Sequence, residues 1–451
     1  MIIIHAHAYF EHLASLFSAM FVHGHQAAPL LQATIISLPK DFSKSLCNDS
    51  NYRGIALCSS IAKLVDLIVM LRNEKALQLS DMQCAFKPSH STATCTYVVK
   101  EVVQHNINRG SNVYACFLDA TKAFDRVQFS RLFGELIKRK VHPVDLRLLL
   151  DLYQRQRCRT RWKSSTSPYF SVGNGIRQGS VISPVLFCVY LDVLLLELEK
   201  QNVGCHVGNK FFGCMAYADD IVLLCPSISG LRSMLRVCEK YCSKYLLQFN
   251  ATKSVCVCFS RIVPDALPDL FLFGDRMCWQ SHVKHLGHVI MYNLSEDNEI
   301  TLKRGDLAGR VNSLLTKLPN VDDNIVMKLF NCQCAHFYGC VTWNLCDKSV
   351  DQFCTMYNRC VRRVLKLPYR THKAFIPYLS KQPMSIVKIY QRCFKFIQNT
   401  CTLENRIGFL ARSCKNSNLS ILCKNLHVIE TFEPTPCSSE NDLAINVESH
   451  R

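Results

Sequence analysis

Glycine and proline are both scarce, with 17 and 15 residues in a chain of 451. Collagen-like repeats and flexible linker architectures need far more of either and are excluded. Also missing is any run of roughly 18 or more uncharged apolar residues with clean flanks. The nearest approach, Leu13 to Val22, is too short to span a bilayer, so no membrane partner is expected. Met1-Ile2-Ile3-Ile4-His5 has no basic region ahead of its apolar stretch, and no small-residue cleavage pattern follows it. It does not read as a secretory signal. An intracellular location is expected, in nucleus, cytoplasm or both, because no strong basic cluster singles out one. In a reducing compartment the 26 cysteines are expected as thiols rather than as a disulfide framework.

Acidic residues are the other shortfall. Lys and Arg number 53 against 35 Asp and Glu, a net charge of +18. Such a surface calls for a polyanionic partner, and nucleic acid leads through phosphate neutralisation and counterion release. With 49% hydrophobic residues the chain is long and apolar enough to bury a large core.

The texture of the chain divides it into a helical lead-in over 1–30, a mixed strand and helix region over 31–290, a basic helical region over 291–410 and a mobile tail over 411–451. No internal repeat is present. Val113 to Leu118 is a short β-prone run ending on Asp119. Ser183-Pro184 predicts a helix start with the serine as cap, followed by a buried helix from Val185 to Leu198. Cys214 to Tyr217 and Ile221 to Leu224 flank Ala218-Asp219-Asp220, and two apolar arms around a short polar tip predict a β-hairpin.

That tip carries the chemistry. Two carboxylates about 4 Å apart repel by about 4 kcal/mol at an effective dielectric near 20. A half-buried site holds them only with a cation or a raised pKa. Carboxylate oxygens without nearby histidine suit Mg²⁺ better than Zn²⁺. Asp119 completes such a site if its strand lies beside the hairpin, and three carboxylates around two Mg²⁺ ions suit in-line nucleotidyl transfer. Taken alone, an Asp-Asp turn describes a solvated hairpin equally well.

Other blocks stand in order around it. They are Ile35-Ile36-Ser37-Leu38-Pro39-Lys40, Asn51-Tyr52-Arg53-Gly54-Ile55, Asp119-Ala120-Thr121-Lys122-Ala123-Phe124-Asp125, the Gly175–Pro184 segment with Arg177-Gln178-Gly179-Ser180, Tyr217-Ala218-Asp219-Asp220, Asn250-Ala251-Thr252-Lys253-Ser254 and His285-Leu286-Gly287. Together they resemble the reverse transcriptase of non-long-terminal-repeat, LINE-type retrotransposons. The resemblance is strong over roughly residues 12–290 and weaker to about 410, where Phe337-Tyr338-Gly339 with Trp343 and the Arg362–Pro368 segment carry it.

The resemblance implies an α+β right-hand polymerase. Fingers and palm, an antiparallel sheet with packed helices, fall within 31–290, and a helical thumb follows. It implies an RNA-directed DNA polymerase with RNA template, DNA primer and deoxynucleoside triphosphates as partners. Two Mg²⁺ ions are the implied cofactor, with Mn²⁺ as alternative. Asp119 and Asp219 match the principal metal ligands and Asp220 the weaker third. Arg53, with Lys40 as companion, matches the contact to the triphosphate. Phe124 matches the ring that excludes a ribose 2′-hydroxyl, although core packing also suits it. Gln178 and Gly179 match the loop beside the nucleotide. Lys253 matches the proton donor to pyrophosphate, although a solvated lysine fits as well. Leu286 and Gly287 match the turn that supports the primer end.

Gly54 stands where the family has proline, and Ala85 where it has glycine. Neither change removes a reacting group. The cysteines from Cys332 to Cys360 lack knuckle spacing and read as buried thiols, and Cys414, Cys423, His427 and Cys437 of the tail lack the spacing of a zinc knuckle. Only about a dozen residues precede the first match, so a fragment lacking the family's endonuclease is expected. Two other readings stay open: a catalytically silent nucleic-acid-binding remnant, and a maturase- or telomerase-like polymerase. Oligomeric state is not legible.

Overall fold

The computed structural model describes residues 6–262, 264–415 and 420–432. It is a mixed structure, 51% helical and 16% strand.

The chain opens with α1 (Ala6–His23) and the strands β1 (Gln32–Pro39) and β2 (Tyr52–Leu57), followed by α2 (Ser60–Arg72) and α3 (Thr92–Asn108). Then come β3 (Val113–Leu118), α4 (Phe129–Lys138), α5 (Pro143–Arg155), β4 (Arg157–Trp162) and α6 (Ser183–Lys200). Two arms, β5 (Cys214–Tyr217) and β6 (Asp220–Cys225), lead into α7 (Ile228–Tyr245) and β7 (Val255–Phe259). The short β8 (Cys278–Trp279) and a hairpin, β9 (His282–His285) with β10 (His288–Met291), precede α8 (Asp297–Lys317). Three later helices matter below: α9 (Lys348–Val364), α10 (Ser385–Cys401) and α11 (Ile421–Glu430).

The central sheet runs β8-β7-β3-β6-β5, antiparallel except for the short β7–β8 edge. Its strands are apolar on both faces, and period-2 alternation divides them between two cores. Val113, Ala115, Phe117, Met215, Val222 and Leu224 face Val98 and Val102 of α3. Cys116, Leu118, Cys214, Ala216, Ile221 and Leu223 face Leu186 and Phe187 of α6 and Met234 of α7. Each fully buried Leu or Phe there contributes about 1.5–3 kcal/mol through apolar burial. A second sheet joins β1 to β2 antiparallel and to β4 parallel.

Beyond residue 290 the helices build a further core around Trp343, Phe353 and Tyr357. That body is tied to α3 by a buried ion pair, Lys100 Nζ to Glu296 Oε1 at 2.8 Å. A buried pair fixes arrangement more than it adds stability.

Two expectations are corrected. Ser183 is not the cap of α6: Ile182 holds that place, and Ser183 lies buried with its hydroxyl 3.3 Å from that of Tyr153. Part of the stretch read as a mobile tail is helical. Ser420 caps α11, bonds Glu101 of α3 at 3.0 Å, and Leu422, Leu426 and Ile429 are buried. Residues 416–419 and 433–451 of that tail lie outside the described residues. Among the described residues the cysteines are free thiols, with Cys334, Cys340, Cys354 and Cys360 buried but Cys332 and Cys346 exposed. No described helix is long and apolar enough to cross a membrane.

Candidate functional site

β5 and β6 are joined by the two-residue turn Ala218-Asp219, closed by the pairing of Tyr217 with Asp220. Ala218 sits in the left-handed region at φ +55°, an arrangement that costs an alanine about 1 kcal/mol or more and persists only where neighbours enforce it. Gln83 is the enforcer. Fully buried, it accepts from the Ala218 N–H and the Ala85 N–H through one side-chain oxygen, both at 3.0 Å. Backbone bonds from Cys84 to Ala216 (2.8 Å) and from Ala216 to Met82 (2.9 Å) lay this segment along β5. The sequence reading assigned Gln83 no role, although a glutamine inside the apolar run Met82–Ala85 is a signal that it bonds something buried.

Asp119 follows the last residue of β3. Leu118 pairs with Ile221, so the register carried one step further sets Asp119 opposite Asp220. The Asp119 N–H donates to the buried Ser254 Oγ at 3.1 Å, and its carbonyl accepts from the Asn250 N–H at 2.9 Å. Two sequence blocks are thereby locked together.

Asp119 acts on both carboxylates of the hairpin turn. Asp219 is raised above the ordinary carboxylate range by burial and by Asp119, while its own backbone and the Arg53 guanidinium oppose the rise. Asp220 is pushed up to about 6, first by burial and then by Asp219 and Asp119. Asp220 is nonetheless an exposed residue, at the start of an otherwise buried strand. As to fit, the donors are all hard oxygens and their crowding is what a divalent cation relieves. Among the described residues, however, no three His, Cys, Asp or Glu side chains stand gathered as a ready ligand group.

The other singled-out residues fall into two sets. Arg53 on β2 acts on Asp219, and burial raises Asp125 against the opposing charges of Lys122 and then Lys40, one residue past β1. Phe124, half-buried, stacks on Phe187 of α6 with ring centres 4.5 Å apart. Its carbonyl accepts from the Ile176 N–H at 3.0 Å, and the Gln178 carbonyl accepts from Ala56 of β2 at 2.6 Å. The buried Asp66 holds the same loop through Ser180 Oγ at 2.6 Å. Asp119 acts on Asp219 and Asp220 at the end of the central sheet and Arg53 acts on Asp219, while Phe124 is joined to the loop whose Gln178 and Gly179 lie against Ala56 of β2. Lys253 and the Leu286-Gly287 turn are not drawn into that group by any described contact. Lys253 is exposed, beside Ser254 in the chain.

Leu286 and Gly287 form the β9–β10 turn, both in the left-handed region at φ +49° and +77°. Tyr338 braces it. Its hydroxyl donates to the Leu286 carbonyl at 2.6 Å, and Lys303 lies over its ring at 4.9 Å while reaching the Gly287 carbonyl at 3.3 Å. At the foot of the turn His285 packs on Phe117, ring centres 5.2 Å apart. Burial, then His288, pulls its pKa down to about 4. An unfolded histidine takes its proton near pH 6.5, so the unfolded state binds protons first as pH falls. Folding stability is expected to be intact above about pH 6.5 and to decline from there toward pH 4. Denaturant unfolding at successive pH values checks this, and His285→Phe should flatten that part of the profile.

Comparisons with known proteins bear on the same residues. The family profile described as reverse transcriptase (RNA-dependent DNA polymerase) matches residues 42–290. A Pol polyprotein from the type-1 retrotransposable element R2 of Nasonia vitripennis is 25% identical over 50% of this chain and 22% of its own length. A probable RNA-directed DNA polymerase from transposon BS of Drosophila melanogaster is 25% identical over 71% of this chain and 36% of its own. The chain thus spans well under half of these curated relatives. Among solved structures, apo telomerase from Candida tropicalis aligns with TM-score 0.45 and 9% identity over 93% of this chain and 73% of its own.

Proposed function

The chain belongs to the reverse transcriptase (RNA-dependent DNA polymerase) family, and from that premise we propose that it is the RNA-directed DNA polymerase of a LINE-type retrotransposon. It would extend a DNA 3′ end on an RNA template. The observation that carries this reading is the position of Asp119, just past β3, beside the Asp219-Asp220 turn of the neighbouring hairpin, with Arg53 acting on Asp219.

In this reading the central sheet with α3, α6 and α7 is the palm. The β1, β2 and β4 sheet belongs to the fingers, so that fingers and palm cover 31–290 behind the lead-in of 1–30. The helices from 291 to 410 form the thumb and the region after it. Asp119 and Asp219 would hold two Mg²⁺ ions, Asp220 acting as the weaker third ligand, with Mn²⁺ as the alternative metal. Bound there, the ions supply positive charge to the attacking 3′-hydroxyl and to the triphosphate. Arg53 offers a planar fork of donors to phosphate oxygens, and Lys40 adds a second cation nearby. Gln178 and Gly179 bring backbone close to the deoxynucleotide. Lys253 gives a proton to departing pyrophosphate. Leu286 and Gly287 support the primer end.

Phe124 sets sugar selection, its ring held by Phe187. Phe124→Val should raise ribonucleotide incorporation about tenfold or more, the scale of one steric contact of roughly 1–3 kcal/mol. Competition between a ribonucleotide and its deoxy counterpart reads it.

Primer extension with purified protein tests the whole reading. Deoxynucleotides should be added on an RNA template in Mg²⁺, and chelation should stop the reaction. Strand binding with no product in either Mg²⁺ or Mn²⁺ would leave the silent, binding-only reading.

A further inference from the structure

Beyond the family-matched segment, α8, α9 and the loop after α9 enclose an open groove of about 600 Å³. Its charged lining is Arg304, Arg359, Arg362, Arg370 and Lys373 against a single carboxylate, Asp351. The wall is built rather than incidental. Arg362 Nε donates to the Thr371 carbonyl at 2.9 Å, pinning the loop to α9, and Arg304 donates to Gln352 at 2.6 Å. Tyr369 stands in this lining and is 77% exposed. Next along the chain, Phe375 and Tyr378 are 57% and 79% exposed. Being three residues apart in a helical segment, they share one side.

We infer that this face binds an unpaired polynucleotide strand, with Tyr369, Phe375 and Tyr378 as stacking platforms and the groove cations on the phosphates. Sequence-tolerant strand binders combine a cationic track with open aromatic rings, since every base presents a π-face. A duplex keeps its base faces stacked inside and offers nothing to these rings. An acidic peptide would answer the charge but not the aromatics. The groove also has a place in the molecule: Arg304 directly follows Lys303, which reaches the Gly287 carbonyl. The inference needs only strand binding and stands whether or not the chain polymerises.

Fluorescence anisotropy with the full chain tests it, using labelled oligo-uridylate, oligo-thymidylate and a blunt duplex at near-physiological salt. Tyr369→Ala with Tyr378→Ala should weaken both single strands about tenfold or more and leave the duplex unchanged. The matching Phe substitutions should restore binding. Arg370→Ala with Lys373→Ala should reduce the slope of log affinity against log salt by about 1.4, two phosphate contacts at roughly 0.7 each. Circular dichroism melting confirms that these surface variants fold. Single-strand binding equal to wild type in the aromatic variant overturns the inference. So do equal losses on the duplex, or displacement of the oligonucleotide by polyglutamate at equal charge.

Discussion

Asp219→Asn is expected to remove primer extension by roughly a thousandfold or more while leaving RNA binding in place. The amide keeps the shape of the carboxylate and removes its charge, so the loss falls on transition-state stabilisation, where about 1.4 kcal/mol is tenfold in rate. A metal-borne charge at the reacting phosphate is worth several kcal/mol. The same substitution should not destabilise the metal-free fold, because Asp219 is already raised by burial and by Asp119, and an amide escapes that repulsion. Extension assays paired with thermal melting in chelator read both halves. Extension within tenfold of wild type would remove Asp219 from the reaction.

Gly179→Ala should have the second-largest effect. Gly179 lies at φ +132°, and a Cβ there would stand 2.2 Å from the Ala56 carbonyl oxygen. Backbone cannot yield that distance without separating the loop from β2, which breaks the Ala56–Gln178 bond. Strain of about 1–3 kcal/mol adds to the lost bond. Gln178 would leave its place, and extension should fall about a hundredfold. Gly110 is the control, with φ +80° but nothing within 4 Å of an added Cβ. Gly110→Ala should cost stability without touching extension, and equal extension losses in the two variants would sink the close-approach account.

Much of this arrangement was legible beforehand, for a physical reason. The continuous apolar runs in Val113–Leu118 and in the two hairpin arms mark strands buried on both faces, and a carboxylate at the end of such a run must lie at a sheet end. What brought Arg53 near Asp219, or Asn250–Ser254 to Asp119, was the order of the blocks and not any local pattern. The braces were not legible. Gln83 serves Ala218 across 135 positions and Tyr338 serves Leu286 across 52, and although a glutamine in an apolar run signals a buried bond, nothing local names its partner. Ser183 misled because Ser-Pro is a local cap signal, whereas a distant tyrosine takes its hydroxyl. The tail misled similarly. Its polar composition hides a helix whose apolar side finds cover in a core shared with α3 and the central sheet.

One face of the central sheet is roofed from far down the chain. Val113, Phe117 and Val222 share a core with Ile397, Leu410, Leu422 and Leu426. A version of this protein cut after residue 290 would keep α3 on that face but lose Ile397, Leu410, Leu422 and Leu426 from the same core, leaving their apolar partners open to water. The segment that carries the family signature is thus not an autonomous unit, and shortening this protein from its C-terminal side should yield aggregates before it yields a minimal polymerase.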